Sequence, residues 1–327
     1  MKVIAAAIVA FFISPLLHAD EIFEKDAKLK VEAAGDVGGE GPAWHPELGV
    51  LMSGHNHHIN QLDPTGKTKI YRKDAGTNGL LFDAKGRLLA CEPTKRRVTR
   101  TELDGKITVL TESYEGKKYN QPNDITVDSQ GRIYFTDPYY GGGVKLEMTD
   151  KDGKIVEGVY RIDLDGKVTR IIGRELERPN GILVSADDKH LFVADNNNSK
   201  KGAARKLYRF DLNKDGSVDM TSRKLLHDWA DGRGPDGLKQ DTKGRLYVAG
   251  GLNKPSLPNE PAKDKLGGIY VIDPDSGKLI EFLQVPRDEV TNCAFGGEDR
   301  KTLYITGGGT LFSIRTTTAG RVVFPNK

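Results

Sequence analysis

The stretch NDITVDSQGRIYFTD, residues 123–137, decides the fold of this chain. It has a polar start, an alternating apolar run, a turn with glycine and a second alternating run, which together are typical of a β-hairpin. Similar stretches recur along the 327 residues, and this indicates a repeat architecture rather than a β-sandwich. We call these stretches copies 1 to 6. They begin at Glu40, Asn78, Asn123, Asn180, Asp236 and Asn292.

A second hairpin pattern follows each copy, as in VTRTELDGKITVL at residues 98–110 and LFSIRTTTAGRVVF at residues 311–324. Strand-forming residues lie on both sides of its turn. Two hairpins per copy make four strands. Six such sheets predict an all-β fold, a six-bladed β-propeller with four antiparallel strands per blade. Residues 28–34, KLKVEAA, are predicted to pair into the last blade and remove an exposed sheet edge.

The first residues have the pattern of a secretory signal peptide. A single positive charge at Lys2 precedes an apolar run, and Ala19 provides a small residue for cleavage. A membrane anchor is the alternative, but the run contains Pro15 and is short for a span of about 20 apolar residues. We therefore expect residues 1–19 to be a signal peptide and residues 20–327 to be a single propeller domain. The mature protein would be periplasmic or secreted, without membrane attachment.

The composition excludes a nucleic-acid-binding protein. Lys and Arg total 49 against 46 Asp and Glu, so the formal net charge is only +3 and no block of like charge stands out. Cys91 and Cys293 could form a disulfide in an oxidising compartment. They could equally be separate buried side chains, which is the commoner fate of a cysteine in a strand. The sequence does not predict the oligomeric state.

A propeller brings the starts of the six copies together at one end of its central channel, provided that the first strand of each copy is innermost. An Asn-Gly or Asp-Gly pair alone would suggest a turn, but here such pairs precede strands at equivalent points. Carboxylates and amides suit a hard cation such as Ca²⁺, which takes 6–8 oxygen ligands. No thiolate or multi-histidine zinc site is visible. The sequence predicts a central metal site for Ca²⁺, with Zn²⁺, Mg²⁺ or Mn²⁺ as alternatives.

Short motifs at these starts carry a family resemblance. The chain resembles the gluconolactonase and senescence-marker-protein (regucalcin-like) propellers, and more distantly diisopropylfluorophosphatase. The resemblance covers nearly the whole chain after residue 19 and implies hydrolysis of a lactone or a similar ester. The motifs are Glu40-Gly-Pro-Ala-Trp, Pro122-Asn-Asp with Tyr134-Phe-Thr-Asp-Pro, Pro179-Asn-Gly, Pro235-Asp-Gly and Asn292-Cys-Ala-Phe-Gly-Gly.

The resemblance also implies roles for individual residues. Glu40, Asn180 and Asp236 match positions that bind a divalent metal in the family, and Asn123 matches one that binds metal, substrate or both. Animal members carry an arginine two residues before this Asn, where it contacts a sugar-acid lactone. This chain has Gln121 there. We expect Gln121 to be a substrate-binding residue, and the departure leaves the particular sugar lactone open.

The expected reaction is hydrolysis of a sugar-acid lactone such as gluconolactone, with the metal as Lewis acid. Asp236 would either activate the attacking water or attack as a nucleophile. Asp137 and Asp195 return to the same face and are expected to lie behind the metal ligands. The alternatives are an arylesterase or phosphotriesterase on the same metal site and a non-catalytic ligand-binding propeller. If the protein is an enzyme, its partner is a small-molecule lactone or ester.

Overall fold

The computed structural model describes residues 21–325, which lie outside the predicted signal peptide. In this range the secondary structure is β-strand except for one short 3-10 helix, Pro93–Lys95. The strands in chain order are β1 (Lys30–Ala33), β2 (Glu40–His45), β3 (Gly49–Ser53), β4 (Ile59–Leu62), β5 (Thr68–Arg72), β6 (Leu80–Phe82), β7 (Leu88–Glu92), β8 (Arg97–Thr101), β9 (Ile107–Thr111), β10 (Ser113–Tyr114), β11 (Lys117–Lys118), β12 (Ile125–Val127), β13 (Ile133–Asp137), β14 (Gly158–Ile162), β15 (Val168–Ile172), β16 (Pro179–Val184), β17 (His190–Asn196), β18 (Arg205–Leu212), β19 (Val218–Asp228), β20 (Pro235–Gln240), β21 (Leu246–Gly250), β22 (Gly268–Ile272), β23 (Leu279–Gln284), β24 (Val290–Gly296), β25 (Thr302–Gly307) and β26 (Thr310–Arg315).

These strands form six four-stranded sheets, one for each copy of the repeat. In blades 1 to 5 the sheets are β2–β5, β6–β9, β12–β15, β16–β19 and β20–β23, while blade 6 has the order β1-β26-β25-β24. The pairing within the blades is antiparallel throughout. The predicted six-bladed propeller is confirmed. A small additional pair, β10 and β11, connects blades 2 and 3.

The first strand of every blade lies at the centre. Strand β2 contacts β6 and β24, β12 contacts β6 and β16, and β20 contacts β16 and β24, which makes a closed circuit of six inner strands. The ring is sealed by the chain's N-terminal strand, as predicted. Strand β1 pairs antiparallel with β26 and places Lys30 opposite Ser313. The free edge of β26 is thereby removed.

An aspartate–arginine pair fixes the first hairpin turn in several blades. Asp128 Oδ1 accepts hydrogen bonds from the backbone N–H groups of Gln130 and Arg132, and its Oδ2 accepts one from Arg132 Nε. Gly131 takes the positive φ of 87° that the turn requires. This device sets the strand register locally in copies 2, 3 and 5. Equivalent pairs are Asp83–Arg87 and Asp241–Arg245.

The last predicted hairpin is wrong in its second half. Residues 321–324 do not form a strand beside β26, because β1 occupies that edge. They instead line the lower channel together with inner-strand residues such as Trp44. The Phe324 ring stacks on His45, with ring centroids 4.9 Å apart. The apolar side chains of this tail are partly buried beneath the channel rather than on a sheet face.

Two further features bear on the sequence predictions. Cys91 and Cys293 are buried and free, in strands β7 and β24 of different blades, so of the two alternatives the separate buried side chains are confirmed and the disulfide is not formed. Between residues 21 and 325, no helix is long and apolar enough to cross a membrane.

Candidate active site

The first residues of the six copies surround the upper end of the channel, which we define as the end where the inner strands begin. We call the residues whose side chains surround this end the ring residues. Backbone and side-chain hydrogen bonds join neighbouring blades at this level. These are Ser53 Oγ to the Asn78 carbonyl at 2.7 Å, Gly79 N to the Asn123 carbonyl at 2.7 Å, Thr136 Oγ1 to the Asn180 carbonyl at 2.6 Å, and Asn292 Nδ2 to Glu40 Oε2 at 3.3 Å.

The glycines after the ring residues serve close packing rather than turns. A Cβ atom at Gly181 would lie 2.0 Å from the Asp236 carbonyl oxygen, and one at Gly237 would lie 2.0 Å from Asn292 Cγ. Both glycines lie inside strands and neither has a positive φ. The interpretation of these Asn-Gly and Asp-Gly pairs as turn dipeptides is therefore excluded, because the absent side chain is what lets neighbouring inner strands approach.

The upper channel contains buried acceptor oxygens that lack donors. Within the described part of the chain, one side-chain oxygen of each of several ring residues is buried and has no hydrogen-bond partner. A buried unpaired acceptor costs about 1–3 kcal/mol, so a group of them at one end of a channel calls for a ligand. The atoms are Asn78 Oδ1, Asn123 Oδ1, Asp124 Oδ2, Asn180 Oδ1 and Asp236 Oδ1.

The carboxylates of this site repel one another. Burial, followed by the charge of Asp124, raises the pKa of Glu40 to about 7. Burial also raises the pKa of Asp236 well above its ordinary value, and the charges of Glu40 and Glu289 add to the effect while Arg233 opposes it. A bound cation would relieve this repulsion and return both groups to the carboxylate form.

The residues present fit a hard divalent cation. The atoms available to coordinate a metal are carboxylate and amide oxygens, which Ca²⁺ prefers. Among residues 21–325 no group of three or more His, Cys, Asp or Glu side chains is arranged to hold a metal ion. A cation at the upper channel would therefore need the amide oxygens of Asn123 and Asn180 in addition to the carboxylates of Glu40 and Asp236.

Asp124 is a ring residue that the sequence analysis did not assign. Its side chain is buried, Oδ1 accepts a hydrogen bond from Ile125 N at 2.9 Å, and Oδ2 has no partner among the described residues. The sequence contains a signal for it. Copies 1, 2, 4 and 5 have glycine at this position and copy 6 has a cysteine, whereas copy 3 has a carboxylate.

Gln121 holds a loop in place. Its Oε1 accepts a hydrogen bond from Tyr140 N at 2.7 Å, and its Nε2 donates to the Gly141 carbonyl at 2.9 Å. Both ends of the amide are thus engaged with the loop that follows β13. The predicted contact of Gln121 with substrate stays a prediction.

That loop, which the sequence predicted to shape the pocket, places Tyr140 over the site, although no individual role was predicted for this residue. The Tyr140 hydroxyl accepts a hydrogen bond from Asn180 Nδ2 at 2.8 Å and donates to the Asn196 carbonyl at 3.2 Å. Burial of the hydroxyl, with the charge of Asp236, raises the pKa of Tyr140 well above its ordinary value, so the hydroxyl keeps its proton, while 39% of the residue stays exposed. The Arg178 guanidinium lies 5.0 Å from the centre of the Tyr140 ring.

Asp137 and Asp195 hold the two loops that lead to ring amides. Asp137 Oδ2 accepts a hydrogen bond from Asn120 N at 2.8 Å, and Asp195 Oδ1 accepts one from Arg178 N at 2.7 Å. Burial raises the pKa of Asp137 to about 8 and that of Asp195 to about 6. These carboxylates were expected to lie behind the ligands, and in the structure they bind the backbone just before Asn123 and Asn180.

A lysine lies below the carboxylates. Lys239 Nζ donates to the Leu238 carbonyl at 3.1 Å and to Asn292 Oδ1 at 3.4 Å. Its positive charge lowers the pKa of Glu40, although burial and Asp124 outweigh it. The lower channel thus contains a fixed cation of the chain itself, while the free oxygens belong to the upper channel.

Residues 38–309 match the family described as SMP-30/Gluconolactonase/LRE-like region. The chain belongs to this family. It is 30% identical over 289 residues to the gluconolactonase of Zymomonas mobilis, with 85% of this chain and 72% of that protein covered. It is 25% identical to the regucalcin of Oryctolagus cuniculus, with 82% of each covered. The solved gluconolactonase of Xanthomonas campestris has a TM-score of 0.73 at 27% identity, covering 91% of this chain and 95% of that one.

The family match includes the whole upper channel. It begins before Glu40 and ends after Asn292, so all seven ring residues and the Tyr140 loop lie inside it. The resemblance inferred from the sequence motifs is confirmed. A solved calcium-binding protein, the regucalcin of Agrobacterium tumefaciens, has the same fold, with a TM-score of 0.68 at 18% identity, covering 90% of this chain and 95% of that one.

Proposed function

We propose that this family member is an exported lactonase that depends on a divalent cation, Ca²⁺ in the first place, and hydrolyses a sugar-acid lactone such as gluconolactone. The unpaired buried oxygens of the upper channel carry the proposal, because they are a ready-made set of hard ligands. The gluconolactonases among its relatives support the reaction class. Export rests on the signal-peptide pattern of residues 1–19.

The ligands of the cation would be Glu40, Asn123, Asn180 and Asp236. A bound divalent cation supplies Lewis-acid polarisation of a carbonyl and stabilises negative charge that develops on its oxygen. The role of the chain is to hold these oxygens in a fixed circle. The hydrogen bonds and glycine contacts between neighbouring inner strands support such rigidity.

Asp236 is the residue to which we assign the proton transfer. As a general base its carboxylate takes a proton from water while the water oxygen bonds to the carbonyl carbon. The ester C–O bond then breaks, and the proton passes to the leaving alcohol oxygen. In the second version Asp236 attacks the carbonyl carbon, the ester C–O bond breaks and the leaving alcohol oxygen takes a proton from water; hydrolysis of the resulting acyl-enzyme anhydride then restores the Asp236 carboxylate. Both versions need the ionised carboxylate, which is disfavoured until positive charge balances it.

The decisive experiment is a substrate panel after chelation. Aldonolactones, aryl esters and phosphotriesters would be assayed with the stripped protein and after addition of Ca²⁺, Zn²⁺, Mg²⁺ or Mn²⁺. We expect lactone hydrolysis to disappear on chelation and to return most fully with Ca²⁺. Faster turnover of aryl esters or phosphotriesters would identify the alternative enzyme class. Cation-independent ligand binding without turnover of any substrate would identify a non-catalytic propeller.

Asp236→Asn tests the chemical role separately. The amide keeps the size of the side chain and one oxygen for the cation but cannot accept the proton. We expect activity to fall by about 10²–10⁴-fold, the usual contribution of a general base, while the variant still binds Ca²⁺ in a calorimetric titration. Full lactonase activity in the cation-loaded variant would contradict both versions of the mechanism.

A further inference from the structure

We infer that Tyr140 is a positioning residue whose hydroxyl fixes the orientation of the Asn180 amide, so that Asn180 Oδ1 faces the upper channel. The inference rests on the proposed function, in which Asn180 is a cation ligand. It concerns a residue of the loop after β13, outside the repeated hairpins. An asparagine can present either oxygen or nitrogen to a ligand, and only the oxygen can bind a cation.

A directional chain of hydrogen bonds sets this orientation. The backbone carbonyl of Asn196 can only accept, so the Tyr140 hydroxyl donates its single proton to it at 3.2 Å. The hydroxyl oxygen is then left as an acceptor, and Asn180 Nδ2 donates to it at 2.8 Å. Because the nitrogen is committed to Tyr140, the opposite atom, Oδ1, is the one that remains unpaired and buried.

The reverse orientation would harm the site. If the amide turned over, its N–H₂ group would replace an oxygen in the circle of acceptors, and a cation would meet two positive hydrogen atoms instead of a lone pair. The Tyr140 hydroxyl would also have to leave the Asn196 carbonyl to donate to Asn180 Oδ1. The flip would therefore reverse the hydrogen bond between Tyr140 and Asn180 and lose the one to the Asn196 carbonyl, a net loss of one hydrogen bond.

The surrounding contacts keep Tyr140 in place. Gln121 binds the loop on both sides of the Tyr140–Gly141 peptide. Glu157 accepts a hydrogen bond from Tyr139 N at 2.8 Å and also binds Arg178 Nε at 3.0 Å. The guanidinium of that arginine lies against the Tyr140 ring. The loop is thus held by hydrogen bonds to its backbone and by the guanidinium against the aromatic ring.

Tyr140→Phe tests the inference with the loss of one oxygen atom. Tyr139→Phe is the matched control, since no described residue makes a hydrogen bond with the Tyr139 hydroxyl. We expect Tyr140→Phe to bind Ca²⁺ about tenfold more weakly in calorimetric titrations, which corresponds to about 1.4 kcal/mol. Tyr139→Phe should match the native protein. Unchanged thermal unfolding of both cation-free variants would show that the fold is intact.

The dependence of turnover on cation concentration separates positioning from catalysis. A weakened cation site should be refilled by excess Ca²⁺, so kcat of Tyr140→Phe should recover to within about threefold of the native value. If kcat stays low at saturating Ca²⁺, the hydroxyl acts on the substrate and the positioning role is wrong. Native Ca²⁺ affinity in Tyr140→Phe would also overturn it.

Asn180→Ala distinguishes failure of this inference from failure of the proposed function. If Asn180→Ala loses Ca²⁺ affinity and Tyr140→Phe does not, Asn180 is a cation ligand as proposed and the positioning role of Tyr140 is wrong. If neither variant changes Ca²⁺ affinity, Asn180 is not a ligand and the ligand set of the proposed function falls with the inference.

Discussion

The side-chain nitrogen of Asn292 lies 3.3 Å from Glu40 Oε2 and donates a hydrogen bond to it, although the two residues are 252 positions apart. This contact joins the last copy of the repeat to the first. The oxygen of the same amide is occupied, because it accepts hydrogen bonds from Cys293 N and Lys239 Nζ. Asn292 is therefore a donor to the ring, unlike Asn123 and Asn180, whose oxygens are unpaired.

The first prediction concerns protons that leave the site when a cation binds. The pKa of Glu40 is about 7 despite the Asn292 donor, and the pKa of Asp236 is also raised, so the cation-free site holds protons near neutral pH. A cation must displace them. Calorimetric titrations with Ca²⁺ at pH 6.5, in two buffers of different ionisation enthalpy, should give different heats that correspond to proton release. The number of protons that Glu40 releases on Ca²⁺ binding should decline as the pH rises above 7, because the free carboxylate is then already ionised. Equal heats in both buffers would contradict the predicted protonation.

The second prediction concerns the pH dependence of stability at Asp137. Its folded pKa of about 8 lies above the ordinary value of 3.8. Between these pH values the folded protein keeps a proton that the unfolded chain has lost, so the free energy of unfolding falls as the pH rises through this window. Asp137→Asn stays neutral and keeps an oxygen for Asn120 N. The variant should lose less thermal stability than the native protein between pH 5 and pH 8.

Thermal unfolding at pH 5, 6.5 and 8 would measure this difference, in the presence of chelator. Each tenfold difference in proton affinity between the folded and unfolded states contributes up to about 1.4 kcal/mol to the free energy of unfolding. Between pH 5 and pH 8 we therefore expect the free energy of unfolding of the variant to rise by a few kcal/mol relative to that of the native protein. Asp165→Asn is the control, because Asp165 is exposed and also accepts a backbone hydrogen bond, from Lys167 N. Parallel curves for native protein and Asp137→Asn would mean that Asp137 is ionised in the folded state.

The parts of the structure that the sequence predicted are the parts that repeat. Hairpin periodicity and turn residues are local, and six copies of them determine the number of blades and the position of Glu40 and Asp236 at the channel entrance. Tyr140 could not be predicted in this way, because it belongs to a non-repeated loop whose position depends on Gln121 and Arg178. Residues 321–324 have the local pattern of a strand, but their place in the sheet is taken by β1 from the other end of the chain.

The third prediction tests the close approach of the inner strands. In Gly181→Ala the new Cβ would lie 2.0 Å from the Asp236 carbonyl oxygen. This is a backbone atom, so no side-chain rotation can relieve the clash. Blades 4 and 5 would have to separate between Asn180 and Asp236. We expect the variant to be less stable by about 1–3 kcal/mol, as for other overpacked sites, and to lose Ca²⁺ affinity.

Gly173→Ala is the control for this substitution. Its Cβ would meet nothing nearer than Glu175 Oε2 at 3.4 Å, and its φ is not positive. Gly173→Ala should therefore keep the free energy of unfolding of the native protein in chemical denaturation and its Ca²⁺ affinity in calorimetric titration. If Gly181→Ala behaved like Gly173→Ala, the packing at the channel entrance would be looser than the glycine contacts require.

The last prediction concerns the C-terminal tail under the channel. Phe324 is partly buried, stacks on His45 and contributes to the lower channel wall, on the opposite side of Lys239 from the unpaired oxygens. Phe324→Ala should reduce the free energy of unfolding by about 1–3 kcal/mol, less than a fully buried phenylalanine would lose. The Ca²⁺ affinity of Phe324→Ala should be unchanged, since among the described residues none of the unpaired oxygens of the upper channel makes a hydrogen bond with residues 321–324. Leu164→Ala, at a side chain that is 76% exposed, is the control for loss of apolar volume. A large loss of Ca²⁺ affinity in Phe324→Ala would show instead that the lower channel supports the geometry of the ring.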